Sequence, residues 1–225
     1  MHWFFLNSGR CAAAENMAWD AALLEAAPQV GAPVLRFYGW TEPAATFGYF
    51  QHFADIDRLT TLRPLIRRPT GGGLVPHDRD WTYSLAFPPA DPWYALKAVE
   101  SYRRVHEWVQ SAFAVCRVST ELSPGSVKEA PGQCFIGAEQ FDVLLDAKKI
   151  AGAAQRRTRD GLLIQGSIQP PPGIPRETFE RAMLDVARQQ WNVGWEELQP
   201  DAALLERVAN LVEAKFSRRE FNARR

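Results

Sequence analysis

The sequence predicts an α+β fold: a mixed, mostly antiparallel sheet flanked by helices. Two observations predict it. Stretches with strand character are broken up by helical stretches without a strict βαβα alternation, and from Arg176 onward the pattern turns helical. The length of 225 residues suits one domain spanning 1–225, in which 176–225 forms a helical C-terminal part.

Trp3 to Leu6 is a short apolar run that reads as a strand, closed by a turn at Ser8-Gly9. Ala12 to Ala26 is rich in helix formers, with Ala14, Met17, Ala18, Ala21 and Leu24 at helical spacing, and Pro28 is expected to end it. Val34 to Tyr38 and Ala45 to Gly48 read as strands around a turn at Glu42-Pro43, followed by a short helix over Asp55 to Leu62. Pro64 to Arg68 reads as the strand that leads into three glycines. Asp80 to Phe87, dense in aromatic and β-branched residues, is the strongest strand signal, stopped by Pro88-Pro89. Tyr94 to Cys116 carries apolar residues at spacings of three and four and reads as a long amphipathic helix. A strand is expected at Arg117 to Glu121, then a Pro- and Gly-rich loop over Ser123 to Gln133. Phe141 to Leu145 and Lys149 to Gln155 read as paired strands with Asp146-Ala147 in the turn, and Gly161 to Ile168 as a further strand. Helices are expected over Thr178 to Gln189, Trp195 to Leu198 and Asp201 to Phe216. The basic end, Arg218 to Arg225, reads as a frayed terminus.

Composition narrows the function classes. With 46% hydrophobic and 23% charged residues the chain reads as globular, not disordered. Lys and Arg balance Asp and Glu at a formal charge of zero, which argues against a nucleic-acid binder driven by bulk electrostatics. Three scattered cysteines suit a reducing cytoplasm better than a disulfide framework. The first residues lack a basic n-region, and no stretch approaches a membrane span, so a cytoplasmic location and no membrane partner are expected. The histidines have no partners at metal-site spacing, so no metal is expected.

Two segments carry possible chemistry. In Arg67-Arg68-Pro69-Thr70-Gly71-Gly72-Gly73-Leu74-Val75-Pro76-His77, the glycines reach backbone angles closed to other residues, and a ligand can lie against the main chain there. The two arginines would add fork-shaped donors. A plain surface hairpin is the alternative. In Asp146 to Arg157, Lys149 is followed by a row of small residues beginning near Gly152, which leaves open space beside the backbone. A lysine there can meet a phosphate or a developing oxyanion; a solvated turn is the alternative. Cys134 at a loop edge is a candidate nucleophile or a small buried hydrophobe. His77 is a candidate base or ligand donor, or a satisfied hairpin histidine.

Taken together, Arg67 to His77 with Trp81-Thr82-Tyr83-Ser84, and Asp142-Val143 with Lys149 to Arg157 and Leu163 to Ile168, resemble the signatures of the lipoate–protein ligase and octanoyltransferase superfamily. Glu15 to Asp20 and Arg36 to Gln51 add weaker likeness, so the match runs from roughly residue 12 to 170. The resemblance implies a biotin/lipoate-ligase-like fold and acyl transfer to a lysine of a lipoyl carrier domain. Such domains occur in 2-oxoacid dehydrogenase complexes and the glycine cleavage H protein. It implies Lys149 as the catalytic lysine on the acyl carbonyl and adenylate phosphate, and Gly71, Gly72 and Gly73 as the wall against the ligand. Arg68 would lie near the ligand and Asp142 on the nucleotide side. An acyl tunnel would be lined by Leu74, Val75, Tyr83 and Phe37. The first expectation is an ATP-dependent ligase using ATP with Mg2+ and lipoate or octanoate through lipoyl-AMP, supported by the triple glycine. The short stretch after Pro175 then points to a separate accessory subunit. The second is a transferase that moves octanoate from acyl carrier protein by way of Cys134, whose position matches that branch's nucleophile. The third is a non-catalytic binder of lipoate or lipoyl domains.

Overall fold

In a computed structural model, residues 1–126 and 137–224 are described. The elements in chain order are β1 (His2–Cys11), α1 (Ala13–Val30), β2 (Val34–Trp40), β3 (Ala44–Phe47), α2 (Phe53–Asp57), β4 (Leu65–Arg67), β5 (Val75–His77) and β6 (Trp81–Phe87). There follow α3 (Pro92–Ala95), α4 (Ala98–Val115), β7 (Glu121–Leu122), β8 (Val143–Leu145), β9 (Lys148–Thr158) and β10 (Gly161–Ile168). The chain closes with α5 (Arg176–Trp191), β11 (Gly194–Glu197), α6 (Ala202–Leu211), a π-helical turn (Val212–Phe216) and α7 (Arg219–Asn222).

The large sheet has the order β11-β1-β2-β6-β10-β9-β8-β7, and a small sheet has the order β4-β3-β5. β1 runs parallel to β2 and β11, and the pairs from β2 to β7 are antiparallel. The α+β expectation, a mostly antiparallel sheet flanked by helices, therefore describes the molecule.

Strand alternation gives the large sheet two unlike faces. Leu35, Phe37, Tyr83, Leu85, Phe87, Leu162 and Ile164 join Val105, Trp108, Val109 and Phe113 of α4 and Phe179, Met183 and Val186 of α5 in one core. Trp3 anchors its aromatic centre, with Trp93, Trp108 and Trp195 edge-on at 5.6 to 6.2 Å. The other face meets α1, whose Met17, Ala18, Ala21 and Ala22 pack with Val34 and Tyr38 and, further out, Leu204 and Val208 of α6. α1 is buried nearly all round, which explains why small alanines dominate it.

Several local expectations are corrected. Pro28 lies inside α1, in its last turn, and does not end it; Gly31 in the left-handed region (φ 71°) does. The expected strand at Arg117 to Glu121 shrinks to β7, because Arg117 takes φ 61°. Asp146 and Ala147, by contrast, form the expected tight turn between β8 and β9, with φ of 50° and 60°. The expected helix at Trp195 to Leu198 is instead β11: Trp195 pairs with Trp3, and its indole N–H donates to the Leu184 carbonyl at 2.9 Å. The basic end is not frayed over its described part. α7 packs back, and the Asn222 side chain accepts from the Arg67 N–H at 2.8 Å.

Candidate functional site: a cavity between the two sheets

Two rows of the sheet face opposite α4 build the floor. Tyr38 pairs with Thr82, Thr82 with Ser167 and Ser167 with Gly152; one step along, Arg36, Ser84, Gln165 and Ala154 form the second row. These positions are polar in the centre of the sheet and small at β9, so the face cannot close over them as an apolar core would. The small sheet covers them. The result is a cavity whose walls include Met17 of α1, Thr46, Arg68, Val75 and His77 from above, and Lys149, Gly152, Ala154, Gln165 and Ser167 from below.

At the β9 end stands Lys149. Its ammonium lies 2.7 Å from the Asp142 carboxylate, with the two side chains 7% and 0% exposed. Asp142 is held in turn by the Glu139 backbone N–H at 2.6 Å and by the Tyr102 hydroxyl of α4. Burial first, then the Asp142 charge, holds the Tyr102 hydroxyl well above its ordinary range, so it stays a donor. A Cβ on Gly152 would stand 2.7 Å from Lys149 Cε and 2.8 Å from its Nζ. Gly152 is thus the space the lysine head occupies.

A second network lies under α1. Arg36 and Asp20, both fully buried, pair at 2.8 Å. Asp20 also accepts from Tyr38, Ser84 and Gln165 at 2.9, 2.6 and 2.6 Å. The Gln165 carbonyl takes the Thr70 hydroxyl at 2.7 Å, which ties the network to the glycine loop. A third network holds the roof: His77 bonds Thr46 Oγ1 and Asp80 at 2.8 Å each and stacks on Trp40 at 3.8 Å, while Ser167 donates to Asp80 at 2.7 Å.

The family model of the lipoyl protein ligase A/B catalytic domain matches residues 12–190. The chain belongs to that family. Octanoyltransferase LipM of Lysinibacillus sphaericus is 32% identical over 179 residues, covering 74% of this chain and 65% of that protein. LipM of Carboxydothermus hydrogenoformans is 34% identical over 174 residues, covering 74% and 64%. The chain therefore spans just under two thirds of the length of these relatives. Protein Ta0514 of T. acidophilum with bound lipoic acid superposes with a TM-score of 0.84 at 19% identity over the full length of both chains. A lipoate-protein ligase A bound with ATP gives 0.80 at 19% identity, covering 99% and 98%. At that identity these two structures establish a shared fold.

Within this lipoyl protein ligase A/B fold the residues singled out in the sequence separate into groups. Lys149, Gly152, Arg68 and His77 all border the cavity, as does Val75. Asp142 does not; it sits behind Lys149 as its counter-ion. The glycine loop is anchored by its carbonyls, since Arg68 donates to Gly71 O at 3.0 and 2.5 Å and Arg156 to Pro69 O at 3.0 Å. Gly72 takes φ 83°, and a Cβ on Gly48 would stand 2.0 Å from its carbonyl oxygen. Gly71 and Gly73 flank it at the rim, and none of the three glycines is among the cavity's wall residues.

Some placements differ from expectation. Tyr83 lies in the α4-side core, its ring filling the space a Cβ on Gly166 would need, 2.1 Å away. Leu74 and Phe37 likewise belong to cores, not to the cavity wall. Arg67 is spent on the backbone, donating to Tyr49 O, Gln51 O and Asn222 O at 2.7, 2.8 and 3.1 Å. Cys134 lies outside the described residues. Sequence reasoning missed Asp20, Gln165, Tyr102 and Asp80. A signal for part of this was present: Thr82-x-Ser84 and Gln165-x-Ser167 place polar side chains at strand period on otherwise apolar strands. No helix among the described residues is long and apolar enough to cross a membrane.

Proposed function

We propose that this protein transfers an octanoyl group from a thioester donor to a lysine of a lipoyl carrier domain, with Cys134 as the relay. The observation that carries the acyl-transfer reading is the Lys149 ammonium fixed by Asp142 at one end of a cavity that the small residues Gly152, Ala153 and Ala154 of β9 keep open. Family membership and the named octanoyltransferase relatives support the choice of octanoyl. The order of the two enzymatic routes expected from sequence thus reverses.

In this mechanism the Cys134 thiolate attacks the donor thioester carbonyl, and the donor thiolate leaves with a proton. The carrier lysine, as the free amine, then attacks the Cys134 thioester; an amide forms, and Cys134 leaves as the thiol, carrying the proton that the amine gives up. Both steps pass through a tetrahedral oxyanion. Lys149 supplies a fixed cation for it in a site shielded from bulk water. Asp142 keeps the lysine head in one place. Met17, Val75 and Ala154 accept the alkyl chain.

The ATP-dependent ligase route, with ATP, Mg2+ and lipoate or octanoate, is the second reading, and the glycine loop with Arg68 at the rim favours it. Lys149 would then meet the adenylate phosphate as well as the carbonyl. Two mixtures separate the routes: carrier domain with octanoyl-carrier protein and no ATP, or carrier domain with octanoate and ATP. The proposal expects octanoylated carrier in the first and its loss in Cys134→Ser. Product only in the second mixture overturns the transferase route, and product in neither overturns acyl transfer.

A further inference from the structure

Beside the glycine loop, outside the cavity, three cations crowd two aromatic rings. The guanidinium of Arg156 lies 4.7 Å from the centroid of the Tyr49 ring, and that of Arg224 lies 4.3 Å from it. Arg224 also sits 4.7 Å from the centroid of Phe221, over which the Lys215 ammonium stands at 5.3 Å. The three come from β9, the π-helical turn and the residues after α7, so only the folded chain assembles them.

Their electrostatics are unbalanced. Burial comes first in pushing the Lys215 ammonium below its ordinary range; Glu25 opposes this, and Arg156 and Arg224 add to it. Glu25 is shared with Arg207, 3.4 Å away. Hydrogen bonding from Arg224 leads in drawing the Tyr49 hydroxyl down, with Arg156 adding to it. Like charges held this close repel, and an anion placed among them would relieve the strain. Two of the three are guanidinium groups, whose planar fork matches phosphate oxygens.

We propose that Arg156, Arg224 and Lys215 form a phosphate-binding site at the rim of the glycine loop, separate from the Lys149 end of the cavity. Arg156 follows Gly152 and Ala154 on the same face of β9, four residues beyond Gly152, which places the two backbones roughly 13 Å apart. Its second contact, to Pro69 O, couples the site to the loop. A phosphate bonded directly to an acyl carbonyl held at Lys149 is too near that carbonyl to belong here. The site suits a phosphate carried farther out: the outer phosphates of a nucleotide, or the phosphate at the far end of an extended thioester arm. The shared chemistry is a phosphate ester, and the inference rests on the acyl-transfer reading.

Calorimetric binding at low ionic strength to two matched pairs tests it: pantetheine against phosphopantetheine, and adenosine against ATP. The phosphate-bearing member of at least one pair is expected to bind about tenfold tighter or more. The pair that responds names the source. Arg224→Gln with Lys215→Gln, both away from the cavity wall, should abolish the difference, whereas Arg224→Lys should retain part of it. Equal binding within both pairs overturns the site, as does a difference that survives the double substitution. Failure of acyl transfer itself would show in the turnover mixtures and leaves these binding outcomes unchanged.

Discussion

The ammonium of Lys149 occupies the volume a side chain at position 152 would fill, so the two residues act as one unit. Lys149→Ala is expected to slow octanoyl transfer by about a hundredfold, the scale of losing one oxyanion partner; single-turnover kinetics check it. Gly152→Ala reaches a similar loss by another route. The new Cβ meets the far end of the flexible Lys149 side chain and comes within 3.1 Å of an Asp142 carboxylate oxygen, so the lysine head moves aside from its counter-ion. Rate should fall by roughly a hundredfold, and the melting temperature should drop as well, because the buried Asp142 carboxylate loses its paired ammonium. The residue scale also carries a pH prediction. His106 is fully buried behind Tyr102, and desolvation leads in lowering its pKa from 6.5 to about 4. The unfolded chain takes up its proton near pH 6.5, whereas the folded one resists until about 4, so stability falls as pH drops through that window. The loss is about 3 kcal/mol. Denaturant titrations at pH 7 and pH 4 should show this contribution, and His106→Phe should remove it. Residue chemistry was partly legible. Lys149 and Gly152 stand out by type and spacing, whereas Tyr102 and His106 look like any two polar positions on an amphipathic helix.

At the scale of elements, α1 and the glycine loop are joined through the sheet by Asp20, Gln165 and Thr70. Asp20→Ala leaves the Arg36 guanidinium buried without its counter-ion, and an expected cost of about 3–5 kcal/mol follows; equilibrium unfolding measures it. Gly48→Ala tests the loop alone. Its Cβ would collide with the Gly72 carbonyl, a backbone atom that cannot step aside cheaply. The loop must shift, so acyl-donor KM should rise at least about tenfold while the two main cores keep their packing. Strands and long helices were readable because their periodicity is local: β10 was expected at the residues where it lies. β11 was not. Its Gly-Trp-Glu-Glu sequence has weak preferences of its own, and pairing with β1 together with Trp195 on Trp3 decided its state.

On the scale of the molecule, the C-terminal segment closes back on the start of the glycine stretch, with Asn222 bonded to Arg67 and its amide donating to Phe216 O at 2.9 Å and Arg218 O at 3.0 Å. Asn222→Ala should lower stability by about 1–3 kcal/mol, because a buried backbone donor loses its partner, and thermal melts would register it. By itself the sequence determined the fold class, most of the strands, and the two segments, 67–77 and 146–157, that carry the family's likeness. Those follow from local periodicity and residue type, which a chain displays before it folds. Only the tertiary structure decided that Asp142 faces Lys149, that Tyr83 belongs to a core instead of a tunnel, and that Arg156, Lys215 and Arg224 meet. Such pairings depend on which strand lies beside which and on which face each residue points to. Those choices are set by burial of the whole sheet between its helices, and no short stretch contains them.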